Sequence, residues 1–388
     1  MSATLAELLS RLEQRSRLEL NAHARLAHAH SRPAVGVLCA FAPPELIHAA
    51  GAQPIRILSH GYQRAELGNP YFAATHCSLV RRVFDMATSG YLADFDGIVL
   101  STGCDHSRRV YDAWRHAECT PRAVHLLHVS SDSSATAVAA LEAELERLSV
   151  FLRELTGHKF GDSELSRSIA IFDRQRTLFE AVYRHCARLD SPLSGQQMLQ
   201  LSLVMSSIPV EESVSILEAL LEALSGATAQ PQSEARRELR FFLASGHFEQ
   251  VERMALIERH AGRVVQELMC TGAGQHLGRV DTTLPPMRAL ASRSLRRLSC
   301  PHAADELDRR FAFILEGVQA GRCDGVILDR LSFCAIWAAE AFVFRRRLRA
   351  RGIPVLELEG ELGSLGEGQL RTRLEAFAES IRNATSTT

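Results

Sequence analysis

The 388-residue chain lacks the features that mark membrane proteins and most nucleic-acid-binding proteins. Its formal net charge is −1, so electrostatics gives no case for binding nucleic acid or an anionic membrane surface. No apolar run approaches the ~18 residues of a membrane-spanning helix. The N-terminus also has no basic region followed by an apolar one, as a secretory signal would. We therefore predict a cytoplasmic protein that contacts neither nucleic acid nor membrane.

Two short motifs are also missing, and each absence excludes a class of site. No Cys-x-x-Cys pair occurs, which argues against a zinc ribbon or finger. No Gly-x-x-x-x-Gly-Lys-Ser/Thr segment occurs, so nothing in the chain resembles a P-loop for ATP. Nine cysteines are present, but in a large cytoplasmic chain they do not indicate a disulfide framework. We expect Cys119, Cys186 and Cys323 to be ordinary buried thiols.

Strand and helix patterns divide the chain into three predicted domains. Residues 1–135 and 237–388 alternate short apolar runs with helical periodicity, which indicates parallel sheets covered by helices. Residues 136–236 show long helical periodicity and few strand signals, so we expect a helical middle domain that ends in a linker at 226–233. Residues 3–29 are predicted as one helix. The predicted fold class is α/β, with two Rossmann- or flavodoxin-like parallel-sheet domains.

Three cysteines follow predicted strands or stand at the start of predicted helices: Cys77 and Cys104 in the first domain, and Cys334 in the last. Residues 96–100 lead into Cys104, and the similar residues 324–328 lead into Cys334. Groups placed after strand carboxyl ends in an open α/β sheet converge on one crevice. Three thiolates that converge there would hold an iron–sulfur cluster and leave one iron open for chemistry.

Five segments carry motifs in a fixed order along nearly the whole chain. They are GVLCAFAPPELIHAAG at 36–51, CDHSRR at 104–109, CTG at 270–272, DGVI with FC at 324–334, and GIPVL with GQLRTRLEAF at 352–377. Their order and spacing resemble the 2-hydroxyacyl-CoA dehydratase and benzoyl-CoA reductase superfamily, specifically its cluster-bearing subunits.

The resemblance implies two α/β domains plus a helical one, and a 4Fe–4S cluster bound by Cys77, Cys104 and Cys334 with one open site. In the dehydratases an ATP-hydrolysing activator injects one low-potential electron. The cluster passes the electron to the acyl-CoA thioester, the resulting ketyl radical acidifies the β-hydrogen, and the hydroxyl group leaves. The implied partners are the acyl-CoA, the activator and a second subunit, which is either identical or paralogous.

The sequence leaves two other functions open. Cys39, Cys270 and Cys300 also lie in family-like contexts, and with the first three they make six cysteines. A related branch, the double-cubane cluster proteins, uses six cysteines to bind an 8Fe–9S cluster and acts on small molecules after reduction by an ATP-dependent activator. The second alternative is a non-catalytic partner subunit that shapes a heterodimer or relays electrons.

Two further positions bear on the function. Glu45, after Pro43-Pro44, is a candidate for proton transfer near the open iron. The simpler role for this residue is a first-turn acid favoured by the helix dipole. The segment SGHF at 245–248 stands where relatives have a Gly-Cys-Pro-like turn, so this chain departs from the family pattern after one of its strands.

Overall fold

The computed structural model describes residues 4–62, 67–226, 238–298, 300–364 and 366–386. Within these ranges the chain forms two four-stranded sheets in which every strand pair is parallel. The prediction of an α/β fold with two parallel sheets is therefore confirmed. Apart from Gly226, the predicted linker at 226–233 lies outside the described residues, and the three domain boundaries stay a prediction.

The first sheet has its strands in the order β2-β1-β3-β4. The chain steps outward from β1 to β2 and then crosses back to β3, so the direction of connection reverses between β1 and β3. In an open α/β sheet, such a reversal opens a crevice at the strand carboxyl ends. The elements are β1 (Ala34–Val37), β2 (Gln53–Arg56), β3 (Gly97–Ser101) and β4 (Val124–Leu127), with α1 (Leu5–Ser16), α2 (Leu20–Ala29), α3 (Pro44–Ala49), α4 (Ser78–Thr88) and α5 (Asp105–His116).

Residues 3–29 do not form the single helix that was predicted, because Glu19 adopts an extended conformation (φ −63°, ψ 148°) between α1 and α2. Each helix then packs on a different partner. Leu12 of α1 belongs to the core of the helical segment, whereas Leu20 and Ala24 of α2 pack in the core of the first sheet. No Gly or Pro marks this break, so only the tertiary packing of the two helices accounts for it.

Four helices follow the first sheet: α6 (Ala135–Thr156), α7 (Asp162–Cys186), α8 (Gly195–Met205) and α9 (Val210–Gly226). Leu141, Leu145 and Leu148 of α6 pack in one cluster with Val99 of β3. The other three helices share a core with α1. In the part of the chain that the structure describes, no helix has the length and apolar character needed to cross a membrane.

The second sheet repeats the topology of the first, with the order β6-β5-β7-β8 and its reversal between β5 and β7. Both faces of the sheet are covered, because separate hydrophobic clusters form around Phe241 on one side and Phe242 on the other. The elements are β5 (Arg240–Ser245), β6 (Arg263–Leu268), β7 (Gly325–Leu331) and β8 (Val355–Gly360), with α10 (Val251–His260), α11 (Ala273–His276), α12 (Pro286–Leu295), α13 (Leu307–Ala320), α14 (Ala335–Arg349) and α15 (Glu367–Ser386).

The start of α6 offers a simple stability prediction. Ser134 is its N-cap, and the Ser134 hydroxyl accepts a hydrogen bond from the Ala137 N–H at 3.2 Å. Loss of an N-cap costs about 1 kcal/mol, so we expect Ser134→Ala to lower the free energy of unfolding by that amount in a urea titration followed by circular dichroism. The control is Ser215→Ala on the exposed face of α9, which should stay within about 0.5 kcal/mol of wild type. Equal losses in the two variants would contradict the assignment of this cap.

Candidate cysteine site

Cys77, Cys104 and Cys334 each stand at the N-cap of a helix: α4, α5 and α14 respectively. The Cys104 Sγ accepts a hydrogen bond from the Ser107 N–H at 3.4 Å. Free N–H groups and the positive end of the helix dipole favour a thiolate at such positions. The expectation that these cysteines stand at helix starts is confirmed.

The two strand reversals bring these cysteines to one crevice between the sheets. Cys104 follows β3 and Cys334 follows β7, so each comes from the reversal point of its own sheet. The α4 N-terminus joins them through contacts with the chain after β8: the Ser78 hydroxyl accepts from the Leu362 N–H at 3.0 Å, and Arg81 pairs with Glu361 at 3.2 Å. Residues from both halves of the chain therefore enclose Cys77.

The three cysteines are close enough for the charge of one thiolate to shift the pKa of another. Burial raises the pKa of Cys104 to about 12, and the charges of Cys77, Cys39 and Cys334 also raise it. Burial raises the pKa of Cys334 to about 11, and Cys77 and Cys270 again add to the effect. As free groups these thiols are neutral at pH 7, whereas a coordinating metal deprotonates a thiol outright.

A second group of cysteines, Cys39, Cys270 and Cys300, lies beside the first. Cys39 is in the loop between β1 and α3, Cys270 lies between β6 and α11, and Cys300 comes after α12. Burial raises the pKa of Cys300, and the charges of Cys39 and Cys270 act in the same direction. All six cysteines that the sequence singled out thus form one connected set.

The other three cysteines are outside this set. Cys119 and Cys186 are buried in two separate hydrophobic cores. Cys323 is half-buried and packs against the core of the second sheet. The expectation of ordinary buried thiols is confirmed for Cys119 and Cys186 and fits Cys323 in part.

Cationic side chains lie close to the second group of cysteines. An Arg56 N–H (Nη2) donates to the Cys270 Sγ at 3.8 Å. Burial alone raises the pKa of the Cys270 thiol, but hydrogen bonding to His247 and the charge of Arg56 outweigh it and hold the pKa below its ordinary value. Arg297 lies near Cys39 and Cys300 as well. Burial lowers the pKa of Arg297, and the charges of these two cysteines act in the opposite direction. The second group therefore lies in positively charged surroundings.

His247, in the segment that departs from the family pattern, is held by a buried carboxylate. Its Nε2 lies 2.8 Å from a Glu249 oxygen, and the same carboxylate accepts from the Ser59 N–H at 3.0 Å. Burial lowers the pKa of His247, but Glu249 and Cys270 outweigh burial and raise it to about 9. Among the charged side chains near Cys270, only His247 had a sequence signal, the departure at 245–248. No local pattern marked Arg56 or Arg297.

Glu45 is buried against an arginine of the helical segment. Its side chain is 0% exposed and forms an ion pair with Arg176 of α7. Burial raises the pKa of this carboxyl group, but Arg176 and Arg293 outweigh burial and keep it below the ordinary value. The role of Glu45 in proton transfer stays a prediction.

The donor set has the chemistry that an iron–sulfur cluster requires. Among the described residues, no three His, Cys, Asp or Glu side chains are close enough to hold one metal ion. A cluster instead attaches each thiolate to a different iron, so its ligands stand farther apart. Six neighbouring sulfur donors are soft ligands of the kind that such clusters use.

Comparisons with known proteins place the chain in a family. The family model described as 2-hydroxyglutaryl-CoA dehydratase, D-component, matches residues 39–381. The chain is 28% identical to YjiM of Escherichia coli K12, a candidate dehydratase subunit by its name, over 90% of this chain and 91% of that protein. It is 20% identical to the beta subunit of lactoyl-CoA dehydratase from Anaerotignum propionicum (90% and 91% covered), and 23% identical to the C component of benzoyl-CoA reductase from Thauera aromatica (91% and 92%). The chain therefore belongs to the 2-hydroxyglutaryl-CoA dehydratase D-component family, within the superfamily that its motifs indicated.

Proposed function

We propose that the chain is the iron–sulfur subunit of a 2-hydroxyacyl-CoA dehydratase-type enzyme, which eliminates water from an acyl-CoA after one-electron reduction by an ATP-dependent activator. The observation that supports this function best is the meeting of Cys77, Cys104 and Cys334 at three helix N-termini in the crevice between the sheets. Three thiolates leave one iron of a four-iron cluster without a protein ligand, which is the position that a substrate oxygen needs.

When bound, such a cluster supplies a low-potential electron and a Lewis acid. The chain itself supplies the ligands, the helix N-termini that favour thiolates, and the exclusion of water. Cys77 belongs to a hydrophobic cluster that includes Leu331, the last residue of β7, and Leu362, which comes after β8. Low polarity around the sulfurs is one of the factors that set the potential of a bound cluster.

A second subunit and an activator complete the proposal. The relatives from Anaerotignum propionicum and Thauera aromatica are each named as one subunit of an enzyme. We propose that this chain likewise works with a partner, either a second copy or a paralogous subunit. Its ligand-bearing crevice would then face that partner, because clefts between subunits are common places for shared cofactor chemistry.

A second candidate function is a double-cubane reductase of small molecules. The observation that favours it is the second group of cysteines: Cys39 and Cys270 lie near enough for their charges to act on Cys104 and Cys334. Six thiols in one connected set match the number that an 8Fe–9S cluster requires. A non-catalytic subunit remains a further alternative, although no observation here favours it.

Iron and sulfide content separates these candidates. We expect protein purified without oxygen to be brown and to contain about four irons per chain. About eight irons per chain would instead support the double-cubane candidate. Colourless protein that binds only zinc after anaerobic reconstitution would overturn both.

A further inference from the structure

A small cavity lies beside the second group of cysteines. Its volume is about 50 Å³, and the segment around Cys39 forms part of its wall. The rest of the wall comes from strand and helix segments of both halves of the chain. The side chains that matter below are those of Arg56 on β2, Arg176 on α7, Gln275 and His276 on α11, and Arg293 on α12.

Arg56 lines this cavity with hydrogen-bond donors that the protein does not use. The residue is only 5% exposed and ends β2, at the carboxyl edge of the first sheet. Its Nη2 contacts the Cys270 Sγ, whereas its Nε and Nη1 have no hydrogen-bond partner. Buried guanidinium donors without an acceptor are costly, so an acceptor with negative charge would stabilise them strongly.

The charges around the cavity leave a positive excess. Arg176 pairs with Glu45 and, at 2.7 Å, with Asp173. Burial and Arg176 lower the pKa of Arg293 to about 9, so it stays charged at pH 7, and its own hydrogen bonds go to backbone carbonyls. Burial lowers the pKa of His276 to about 3, which keeps it neutral. With Arg56, three guanidinium groups thus share two carboxylates.

The size of the cavity limits what it can hold. A volume of 50 Å³ gives room for about three or four water-sized groups. Sites for whole drug-sized ligands are larger, at about 300 to 1,000 Å³, so a coenzyme A moiety does not fit. A planar carboxylate or nitrate fits, and one of its oxygens can accept a charge-assisted hydrogen bond from an unpartnered nitrogen of Arg56.

We propose that this cavity is a binding site for a small oxoanion of carboxylate or nitrate size, held by an unpartnered donor of Arg56 and by the charge of Arg293. If the oxoanion is part of the substrate, the inference rests on the proposed function, because the anion would then lie beside the second group of cysteines. As a statement about binding, it stands without any cluster.

Isothermal titration calorimetry on the anaerobically purified full chain tests the site. Formate and nitrate are the probes at constant ionic strength, and formamide is the neutral match for formate. We expect saturable binding of one formate per chain and none of formamide. Arg56→Met should weaken formate binding by about tenfold to a hundredfold, as expected for hydrogen bonds to a charged group. Hexanoate has more atoms than the cavity can hold, so its competition with formate would overturn the inference, whereas binding of formate and nitrate without such competition supports a site for a small oxoanion.

Two further variants keep the test decisive. Arg296→Met removes one positive charge at the exposed end of the same helix that carries Arg293, and it should leave formate binding unchanged. Arg56→Lys keeps the charge with fewer fixed donors and should weaken binding less than Arg56→Met. Equal heats for formate and formamide, or equal losses in Arg296→Met and Arg56→Met, would overturn the inference. Iron content is measured on the same samples, so an iron-free chain that binds formate would contradict the proposed function and not this site.

Discussion

Replacing Cys77, Cys104 or Cys334 with serine is expected to lower the iron content of anaerobically purified protein from about four atoms per chain to below about one. Each thiol would supply one of only three protein ligands, and the serine hydroxyl is a much poorer ligand because it does not ionise readily. The three sulfurs also stand at the starts of three different helices, so each ligand is held by an element of its own. Iron and acid-labile sulfide are measured together with the visible absorption spectrum.

Matched controls decide whether such a loss is specific. Cys323→Ser changes a half-buried cysteine outside the connected set and should leave the iron content at the wild-type value. Cys39→Ser and Cys270→Ser should also leave it unchanged if a single cubane is present. Loss of iron in those two variants, equal to the loss in the first three, would replace the single cubane by the double one. Equal retention in every variant would refute the ligand assignment altogether.

The second large effect concerns the source of electrons: turnover should be undetectable unless a separate ATP-hydrolysing activator is present. Reduction of a thioester requires an electron of very low potential, and the sequence contains no P-loop to couple ATP hydrolysis to that step. Reduced protein is mixed with a panel of acyl-CoA substrates, with and without activator and ATP. Dehydrated acyl-CoA is measured by chromatography, and the oxidation state of the cluster by electron paramagnetic resonance.

The controls for this experiment separate the ATP-dependent reduction of the protein from the dehydration of the acyl-CoA. A non-hydrolysable ATP analogue should abolish turnover while leaving the iron content unchanged. ATP-dependent reduction of the protein without any dehydration would favour the small-molecule reductase. Full turnover from a mild reductant, without activator, would contradict the proposed mechanism.

The strands and the cysteine positions were readable from the sequence because their signals are local. The apolar runs behind β3 and β7 share a preceding Asp-Gly, and the residues that follow them begin helices. Parallel topology then dictates that chain segments after strand ends meet at one edge. That rule places Cys104 at the carboxyl edge of the first sheet and Cys334 at that of the second, and the packing of the two sheets brings these edges together.

The cationic surroundings of Cys270 could not be read in the same way. Arg56 and Cys270 are 214 positions apart in the sequence, and an arginine at the end of a strand has no distinctive local pattern. Only the packing of β2 against the segment after β6 brings the two together. The same limit applies to the ion pair of Glu45: its Pro-Pro context fixes a helix start, but its partner Arg176 lies on a distant helix.

The distribution of the three cysteines over the chain also fixes when their site can form during protein synthesis. Cys77 and Cys104 leave the ribosome early, but Cys334 and the residues after β8 that seal α4 come near the end of the chain. At about 5 to 20 residues per second, roughly 10 to 50 seconds separate Cys104 from Cys334. Until then the first two thiols lack the surface that encloses them and are open to oxidants. Any cofactor that all three cysteines hold must therefore be loaded after Cys334 has been translated.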